Sequence, residues 1–592
     1  MRASRSGALF SAFPYPTKIS PEAIALFIAT HTQPGDTVFD GFAGSGTTGL
    51  AALLCENPPQ GLRDEAKRLG LKVKWGARNA VLYELGTLGA FVARTLTNPP
   101  DPKGFVRAAE DILRSAEKDD GWMYAAKDPD GKEGTIRYLV WSDLLCCPSC
   151  RRQVTLWNAS VSLDPASISS QFTCPHCSYA ASTDEVKRLT ETVWDDLLRE
   201  ERQLRTRRVV RVCGATGKKN WSRAVTRDDI ALLRRIAQES LPESVPHVAI
   251  PWGDLYRRGY HQGITYLHHF YTRRNLIVFG RLWERTAYYD DNLCDALRFW
   301  LLSYNASHST IMTRVVAKSG QKDLVITSAQ PGVLYVSGLP VEKNLFSGLR
   351  RKLSTIGKAF AMTHGCKGKI EVFQGSCTQV DLPDNSIDYV FTDPPFGGNI
   401  PYAEINFLNE AWLNRYTDRT DEIIVSIAQG KTITDYQELL TAALAEVHRI
   451  LRRNGKATVV FHSASAEVWN TLQFAYQAAG LSVECASVLD KTQGSFKQVT
   501  TAGAVRGDPV LMLGKRIVEA RQSGKSVWVV VEQLQREAAF APDPAERTVQ
   551  RLYSRLVSHY LAHHQQVPLD AGTFYRWFAE QDLPQAVSDA SA

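Results

Sequence analysis

Val38-Phe39-Asp40-Gly41-Phe42-Ala43-Gly44-Ser45-Gly46-Thr47-Thr48-Gly49 is the stretch on which the fold of this 592-residue chain turns. A turn, Pro34-Gly35-Asp36, precedes it, and an apolar run from Leu50 to Leu54 follows. The order is strand, glycine turn, helix, the setting in which such a loop binds a cofactor. Gly44 and Gly46 let backbone approach a ligand closely, and the helix N-terminus offers free N–H groups to a carboxylate. No Lys follows the last glycine, so this is not a P-loop, and the spacing is not that of the dinucleotide GxGxxG. Ala80-Val81-Leu82-Tyr83-Glu84 reads as a second strand ending in an acid, 44 positions past Asp40. A carboxylate there can accept both ribose hydroxyls of a nucleoside. The usual separation is about 20 residues, and the polar segment from Glu56 to Lys74 reads as a loop insertion that lengthens it.

A second motif supplies the chemistry. The apolar run Ile387 to Thr392 reads as a buried parallel strand, and Asp393-Pro394-Pro395-Phe396 follows it directly. Two prolines after a strand exclude a helix and hold the Asp and the Phe in a stiff loop. A carboxylate, proline carbonyls and an aromatic face suit a planar ring bearing an exocyclic amine. The carboxylate and a proline carbonyl accept the amine's two protons while the ring stacks on the Phe. In an open α/β sheet, ligands bind beyond the carboxyl ends of strands where strand order reverses. Asp40, Glu84 and Asp393 each end a predicted strand, so they can line one cleft although up to 353 positions apart.

Together these motifs resemble the cofactor and catalytic motifs of the S-adenosylmethionine-dependent DNA amino-methyltransferases. Phe13-Pro14-Tyr15-Pro16-Thr17-Lys18-Ile19-Ser20-Pro21 is similar to the element that precedes the glycine loop in many of them. More narrowly, the chain resembles adenine-specific DNA methylases with a zinc ribbon between the two motifs, over about residues 10 to 515. Gly263-Ile264-Thr265, Tyr271-Thr272-Arg273-Arg274 and Pro401-Tyr402-Ala403-Glu404 are further matching segments. The resemblance implies a Rossmann-like class I methyltransferase domain split by a long insertion, with S-adenosylmethionine as cofactor. Tyr15, the Gly44-Ser45-Gly46 backbone, Thr47 and Thr48 would hold the methionine end, with Asp40 and Phe42 beside them. Glu84 would hold the ribose, and Phe39 and the Leu82–Leu85 region would pack on the adenosine. Ser376 stands where many relatives place an acid against the cofactor's adenine ring, which weakens that contact. Asp393 and the Pro394 carbonyl, with Pro395, would orient the amine of a flipped-out base stacked on Phe396. Phe396 replaces the commoner Tyr and keeps the π-face without the hydroxyl.

Asp at position 393 favours adenine N6 over cytosine N4 in the pattern of these families. Cytosine-N4 DNA methylation, RNA base-amine methylation and a non-catalytic zinc-ribbon DNA-binding subunit are the alternatives. The dipeptide Pro-Cys is absent, which excludes the nucleophile of a cytosine-C5 enzyme. Double-stranded DNA is the expected partner, with separate restriction or defence subunits as candidates, since the chain carries no obvious nuclease or helicase motif. No run of 18 apolar residues and no basic-then-apolar leader exist. A cytoplasmic, nucleoid-associated protein without a membrane is therefore expected. The net charge of +7 permits a nucleic-acid partner without demonstrating one.

Eleven cysteines are too few and too clustered for a secreted disulfide scaffold. Cys147-Pro148-Ser149-Cys150 and Cys174-Pro175-His176-Cys177 form two CxxC knuckles 23 residues apart, spacing for one structural Zn²⁺. Cys146 adjoins a knuckle with the wrong spacing to Cys150. The expected organisation is a cofactor-binding half at 1–100, an insertion at 101–365 with the ribbon near 138–182, a catalytic half at 366–515 and a helical accessory region at 516–592. Within the insertion a charged helix is expected from Glu185 to Arg211. Its arginines, with Lys218, Lys219, Trp221 and Arg223, suit either a phosphate backbone with a stacked base or a solvated helix face. A helical pattern spans Tyr266 to Tyr304. His261, His268, His269 and His308 make no metal spacing with a carboxylate and read as packing or backbone contacts. Val527 to Val531 reads as a short strand.

Overall fold

Thr37–Asp40 is a strand and Thr47–Leu54 a helix, with the glycine turn between them. The structure, a computed structural model, describes residues 2–3, 7–251, 253–255, 263–318, 320–330, 332–398, 400–491, 507–516, 526–541 and 544–582. His261 lies outside the described residues. The chain divides into two units, Met1–Pro99, Ala359–Ala403 and Thr417–Ala592 forming the first, and Pro100–Lys358 with Glu404–Tyr416 the second.

The first unit is built on one eight-stranded sheet. Its strands are β1 (Arg2–Ala3), β2 (Thr37–Asp40), β3 (Asn79–Glu84), β4 (Ile370–Gln374), β5 (Ile387–Thr392), β6 (Leu451–Val460), β7 (Ser482–Lys491) and β8 (Asp508–Gly514). They lie in the order β1-β7-β8-β6-β5-β2-β3-β4. The strands from β6 to β4 run parallel, and β8 enters antiparallel to both β6 and β7. This is a mixed α/β, mostly parallel, Rossmann-like sheet. Successive strands run outward one way from β2 and the other way from β5, so the order reverses between these two neighbours. The carboxyl ends of β2, β3 and β5 meet at that switch point, and each ends at or just before an acid.

The helices Thr87–Thr97, Ile433–Ile450 and Ala466–Ala478 connect these strands. Phe39, Val390, Val459, Leu444, Leu472 and Leu511 are buried in one core with side chains of the C-terminal helices. Val530, Leu556 and Phe574, from helices of the C-terminal region, belong to that same core. The expected strand at Val527 to Val531 is instead the start of the helix Val527–Ala539. Its buried residues Val530, Val531, Leu534 and Ala538 recur at helical spacing, and that packing overrides the β-branched run. The polar segment after Glu56 is likewise not all loop: it contains the helix Gln60–Arg68, anchored by buried Leu62 and Ala66.

The second unit contains a six-stranded antiparallel sheet centred on the long strand Glu133–Cys146, which pairs with Arg207–Thr216 and Val341–Lys343. The helix expected over 185–211 is replaced by a hairpin, Thr190–Asp195 with Glu200–Arg205, followed by the strand Arg207–Thr216. Asp195 closes the hairpin by accepting the Leu197 and Leu198 N–H groups, and Arg199 takes the left-handed conformation at φ +55°. The helical pattern from Tyr266 to Tyr304 resolves into Arg273–Thr286 and Asp291–Tyr304, each N-capped by a side chain, Thr272 and Asp290. Among the described residues no helix is long and apolar enough to cross a membrane.

Candidate functional site

A cavity opens at the switch point of the sheet, lined by the N-terminal element, the glycine loop, the end of β3, the loop after β4 and the loop after β5. Tyr15, Asp40, Phe42, Gly44, Ser45, Thr47, Thr48, Glu84, Ser376, Asp393 and Pro395 from the predicted set all line it. Gly46, Pro394 and Phe396 do not, and neither do Phe39 and Leu82. Phe39 lies fully buried in the core against Tyr83, at 5.9 Å between ring centroids, so Leu85 is the member of the expected apolar contact that reaches the cavity.

The glycines divide their work. Gly44 has φ +51°, and a Cβ there would sit 3.2 Å from the Tyr15 ring. Gly46 has φ +78° at the N-cap of the helix Thr47–Leu54, and a Cβ would meet Ala93 at 2.8 Å. Gly46 is thus set by helix packing and not by close approach of a ligand. Asp40 is buried, and its carboxylate accepts the Phe42 N–H at 3.0 Å, the Thr48 hydroxyl at 2.6 Å and the Thr392 hydroxyl at 2.7 Å. Burial pushes its carboxyl up despite these three bonds. Asp40 therefore joins the glycine loop to β5 and builds the site from behind. Glu84 accepts the Gly44 N–H at 2.6 Å and the Gly86 N–H at 2.8 Å, one on each oxygen.

The Asp393-Pro394-Pro395-Phe396 loop is held from the helix Ile433–Ile450. Tyr436 is buried there, and its hydroxyl donates to the Pro395 carbonyl at 2.6 Å. Phe396 is half-buried outside the cavity lining, edge-on to Phe461 at 5.1 Å and tilted to His462 at 6.2 Å. Tyr402, Thr17 and Lys18, named from the sequence only as members of matching segments, also line the cavity, as do Thr417, Asp421 and Glu422, which were not singled out. Tyr402 stacks on Tyr15 at 6.2 Å and shares a hydrogen bond of 2.7 Å with Thr17, 385 positions away. A contact at such separation leaves no local signal.

The residues present fit a cationic nucleoside cofactor. The Ser45 hydroxyl, buried in the glycine turn, has no partner among the described residues. Asp40, Glu84, Asp393, Asp421 and Glu422 line the cavity, whereas its described lining includes the single cation Lys18. That ammonium is already given to the Phe10 and Phe13 carbonyls. An acidic, partly apolar cleft with one orphaned hydroxyl suits the positive sulfonium of S-adenosylmethionine.

In the second unit Cys147, Cys150, Cys174 and Cys177 bring their sulfurs within 4.8 Å of one another. The knuckles are built alike: Cys147 N–H donates to Arg152 O at 3.0 Å, and Cys174 N–H to Tyr179 O at 2.9 Å. Arg151 and Ser178 occupy equivalent left-handed positions, at φ +60° and +57°. Four thiols in this arrangement fit a tetrahedral Zn²⁺. Cys146 points elsewhere, its sulfur facing Arg151 O at 3.6 Å.

The histidine reading needs one correction. Asp195 reaches both His268 and His269, its Oδ2 accepting from their Nε2 atoms at 2.8 and 3.0 Å. Sequence spacing hid this carboxylate because the hairpin delivers it from 73 positions upstream of His268. The group is still no metal site as arranged. His269 Nδ1 accepts the Thr265 and Tyr266 N–H groups at 3.2 and 3.3 Å, so its Nε2 must carry the proton it gives Asp195. The basic stretch also lies differently from either expectation. Arg205 and Arg207 are largely buried on Asp143, Arg208 pairs with Glu191, and Arg223 pairs with Asp229.

Comparison with known proteins bears on the first unit. A family model described as DNA methylase matches residues 2–57, which hold Tyr15 and the whole glycine turn. This match supports methyltransferase activity. No curated protein matches the chain significantly. Among solved structures, the [4+2]-cyclase SpnF is 13% identical over 28% of this chain and 64% of its own, with a TM-score of 0.17. The antibiotic-resistance methyltransferase Kmr is 14% identical over 29% and 73%, with a TM-score of 0.16. TrmN from Thermus thermophilus is 15% identical over 29% and 33%, with a TM-score of 0.14. Likenesses this low carry no argument about activity.

Proposed function

We propose that the chain is an S-adenosylmethionine-dependent DNA methyltransferase acting on the exocyclic N6 amine of adenine. The observation that carries this reading is that Asp393 and Pro395 line the same cavity as Tyr15, Gly44, Ser45 and Glu84. A carboxylate built for an amine thus stands in the cleft built for a nucleoside cofactor. When bound, S-adenosylmethionine supplies an electrophilic methyl group.

The chain's own residues do the rest. The Gly44–Ser45 backbone and the Ser45 hydroxyl bind the cofactor's polar end, and the Glu84 carboxylate, which lines the same cavity, faces the ribose. Asp393 accepts a proton of the target amine, which draws the amine's lone pair away from ring conjugation. Tyr436 fixes the Pro395 carbonyl and so sets the height of the loop. Phe396 presents a π-face to a base taken out of the stack. Positioning in line and electrostatic help at the amine account for the rate, without a covalent intermediate. Zn²⁺ on the four cysteines stabilises the ribbon and takes no part in transfer. Double-stranded DNA in the cytoplasm is the proposed substrate, and a role in restriction or defence would require separate subunits.

The test is incubation with methyl-labelled S-adenosylmethionine and, in parallel, unmethylated genomic DNA and total RNA, followed by nucleoside mass spectrometry, with Asp393→Ala as control. N6-methyladenine that vanishes in the variant upholds the proposal. N4-methylcytosine or label found in RNA alone overturns its substrate assignment, and no transfer despite cofactor binding overturns the activity.

A further inference from the structure

The cofactor cleft extends past Glu84 along the order β2-β3-β4 of the sheet. The glycine turn follows β2, Glu84 ends β3, and Gly375, Ser376 and Cys377 follow β4; residues of all three line the one cavity. A nucleoside with its polar end on the glycine turn and its ribose at Glu84 therefore sets its base against the loop after β4.

That loop itself offers the base no charge. The Ser376 hydroxyl is turned onto Thr378, accepting its N–H at 3.3 Å and sharing a hydrogen bond of 2.8 Å with its hydroxyl. Burial pushes the Cys377 thiol up and keeps it neutral, and the nearby charges of Glu84, Asp40 and Asp421 add to the effect. Asp421 comes from the segment 417–422, which is pinned at this end of the cleft. Thr417 Oγ1 accepts the Thr87 N–H at 3.0 Å, and the Thr87 hydroxyl accepts from the side chain of Gln374, the last residue of β4, at 2.8 Å. Lys431 braces the turn that follows, donating to the carbonyls of Arg419, Thr420 and Glu422 at 2.7, 2.9 and 2.7 Å. Its three protons are thereby used, and none is left for Asp421.

The other carboxylates of the cavity are already engaged or stand elsewhere. Asp40 and Glu84 hold groups of the glycine loop. Glu422 accepts from Gln429 at 2.6 Å and from the Ala403 N–H at 3.3 Å. Asp393 follows β5, on the far side of β2 from β4. Asp421, half-buried, makes no hydrogen bond or ion pair with any described residue. Leu85 and Ile423 line the cavity with it, so this acceptor stands among apolar side chains without a donor of its own.

We propose that Asp421 recognises the adenine of the cofactor by accepting a proton of its 6-amino group. This rests on the reading of the chain as an S-adenosylmethionine-dependent methyltransferase. The lone pair of that amine is conjugated into the ring, so the amine only donates. A carboxylate is its match, and the charge-assisted bond selects adenine over a purine that lacks the amine.

The test is calorimetric titration of the full chain with S-adenosylhomocysteine and with its analogue carrying unsubstituted purine in place of adenine. Wild type should prefer S-adenosylhomocysteine about tenfold or more, the worth of one hydrogen bond to a charged group. Asp421→Ala should erase that preference by weakening S-adenosylhomocysteine, since the purine analogue offers the carboxylate no proton. Asp421→Asn keeps an uncharged acceptor oxygen and should retain part of the preference. The unfolding midpoint should stay in place, because no hydrogen bond or ion pair of the described chain ends on the Asp421 side chain. Equal affinity of wild type for the two ligands, or a preference that survives Asp421→Ala, overturns this assignment and leaves the methyltransferase reading standing. Failure of wild type to bind either ligand overturns that reading and the assignment with it.

Discussion

Tyr402 donates its phenolic proton to Thr17 Oγ1 at 2.7 Å, because the one proton of the Thr17 hydroxyl already goes to the Pro16 carbonyl at 2.8 Å. Thr17 is held in the left-handed region at φ +60°, and Tyr402 stacks on Tyr15 two residues before it. The segment after the Asp393–Phe396 loop therefore fixes the N-terminal element over the glycine turn. Tyr402→Phe keeps the stack and removes one hydrogen bond, a loss of about 0.5–1.5 kcal/mol. Affinity for S-adenosylhomocysteine should fall roughly 2- to 12-fold, measured by calorimetry, with no change in unfolding midpoint beyond a few degrees. Unchanged affinity would show that the N-terminal element does not hold the cofactor.

Tyr436 bears on the loop proposed to hold the target amine. Its hydroxyl fixes the Pro395 carbonyl, and it touches the cavity nowhere else. Tyr436→Phe should leave cofactor affinity as it is and lower the transfer rate about 10- to 100-fold, since small displacements of positioned groups cost that much. A fall in cofactor affinity with an unchanged rate would place Tyr436 in general packing instead.

The sheet and the cofactor side of the cleft were legible because their determinants are local. A strand, a glycine turn and a helix follow one another within twelve residues, and Asp40, Glu84 and Asp393 end strands that the residue pattern already marks. What stayed hidden depends on partners far along the chain. Gly46 looks like a ligand-facing glycine, yet Ala93 dictates it. The arginines around Arg205 look like a surface charge run, yet Asp143 draws them inward from over 60 positions away. Val527 to Val531 has strand propensity, and its helix arises from the buried face it shares with Leu534 and Ala538. Charged hairpins are hard to tell from charged helices where the alternation of buried and exposed positions is masked by ion pairs.

The ribbon separates two neighbouring cysteines. Cys147 is buried among the four sulfurs, 3.6 Å from Cys177, whereas Cys146 turns to the Arg151 carbonyl. Purified protein should contain about one zinc per chain, as a four-thiolate site takes. Cys146→Ser should keep that zinc and Cys147→Ser should lose it, by elemental analysis. Chelation should unfold the ribbon, because the small cluster of Leu145, Val154, Phe172 and Val186 is its apolar core and metal ligation carries much of the folding energy of such modules. Equal zinc loss in both variants would mean that the two cysteines exchange as ligands.

Acid should weaken the second unit in a defined window. His308 is half-buried against Tyr304 and accepts from Lys343 Nζ at 2.9 Å, so desolvation, followed by Lys343 and Lys352, pushes it down to about 3. Burial lowers His268 and His269 as well, against the pull of Asp195. A base whose folded pKa lies below its unfolded value gives stability that is present above the unfolded value, near 6.5, and is lost as pH falls toward the folded one. Asp195, held down to about 2 by the two histidines despite its burial, adds its own loss below the ordinary carboxylate range. Denaturant unfolding should therefore show stability declining steadily from pH 6.5 to pH 4. His308→Gln keeps an acceptor for Lys343 and removes the titration, so its decline should be shallower by about 1.4 kcal/mol per pH unit. Parallel curves for wild type and variant would mean that His308 is already protonated in the folded chain.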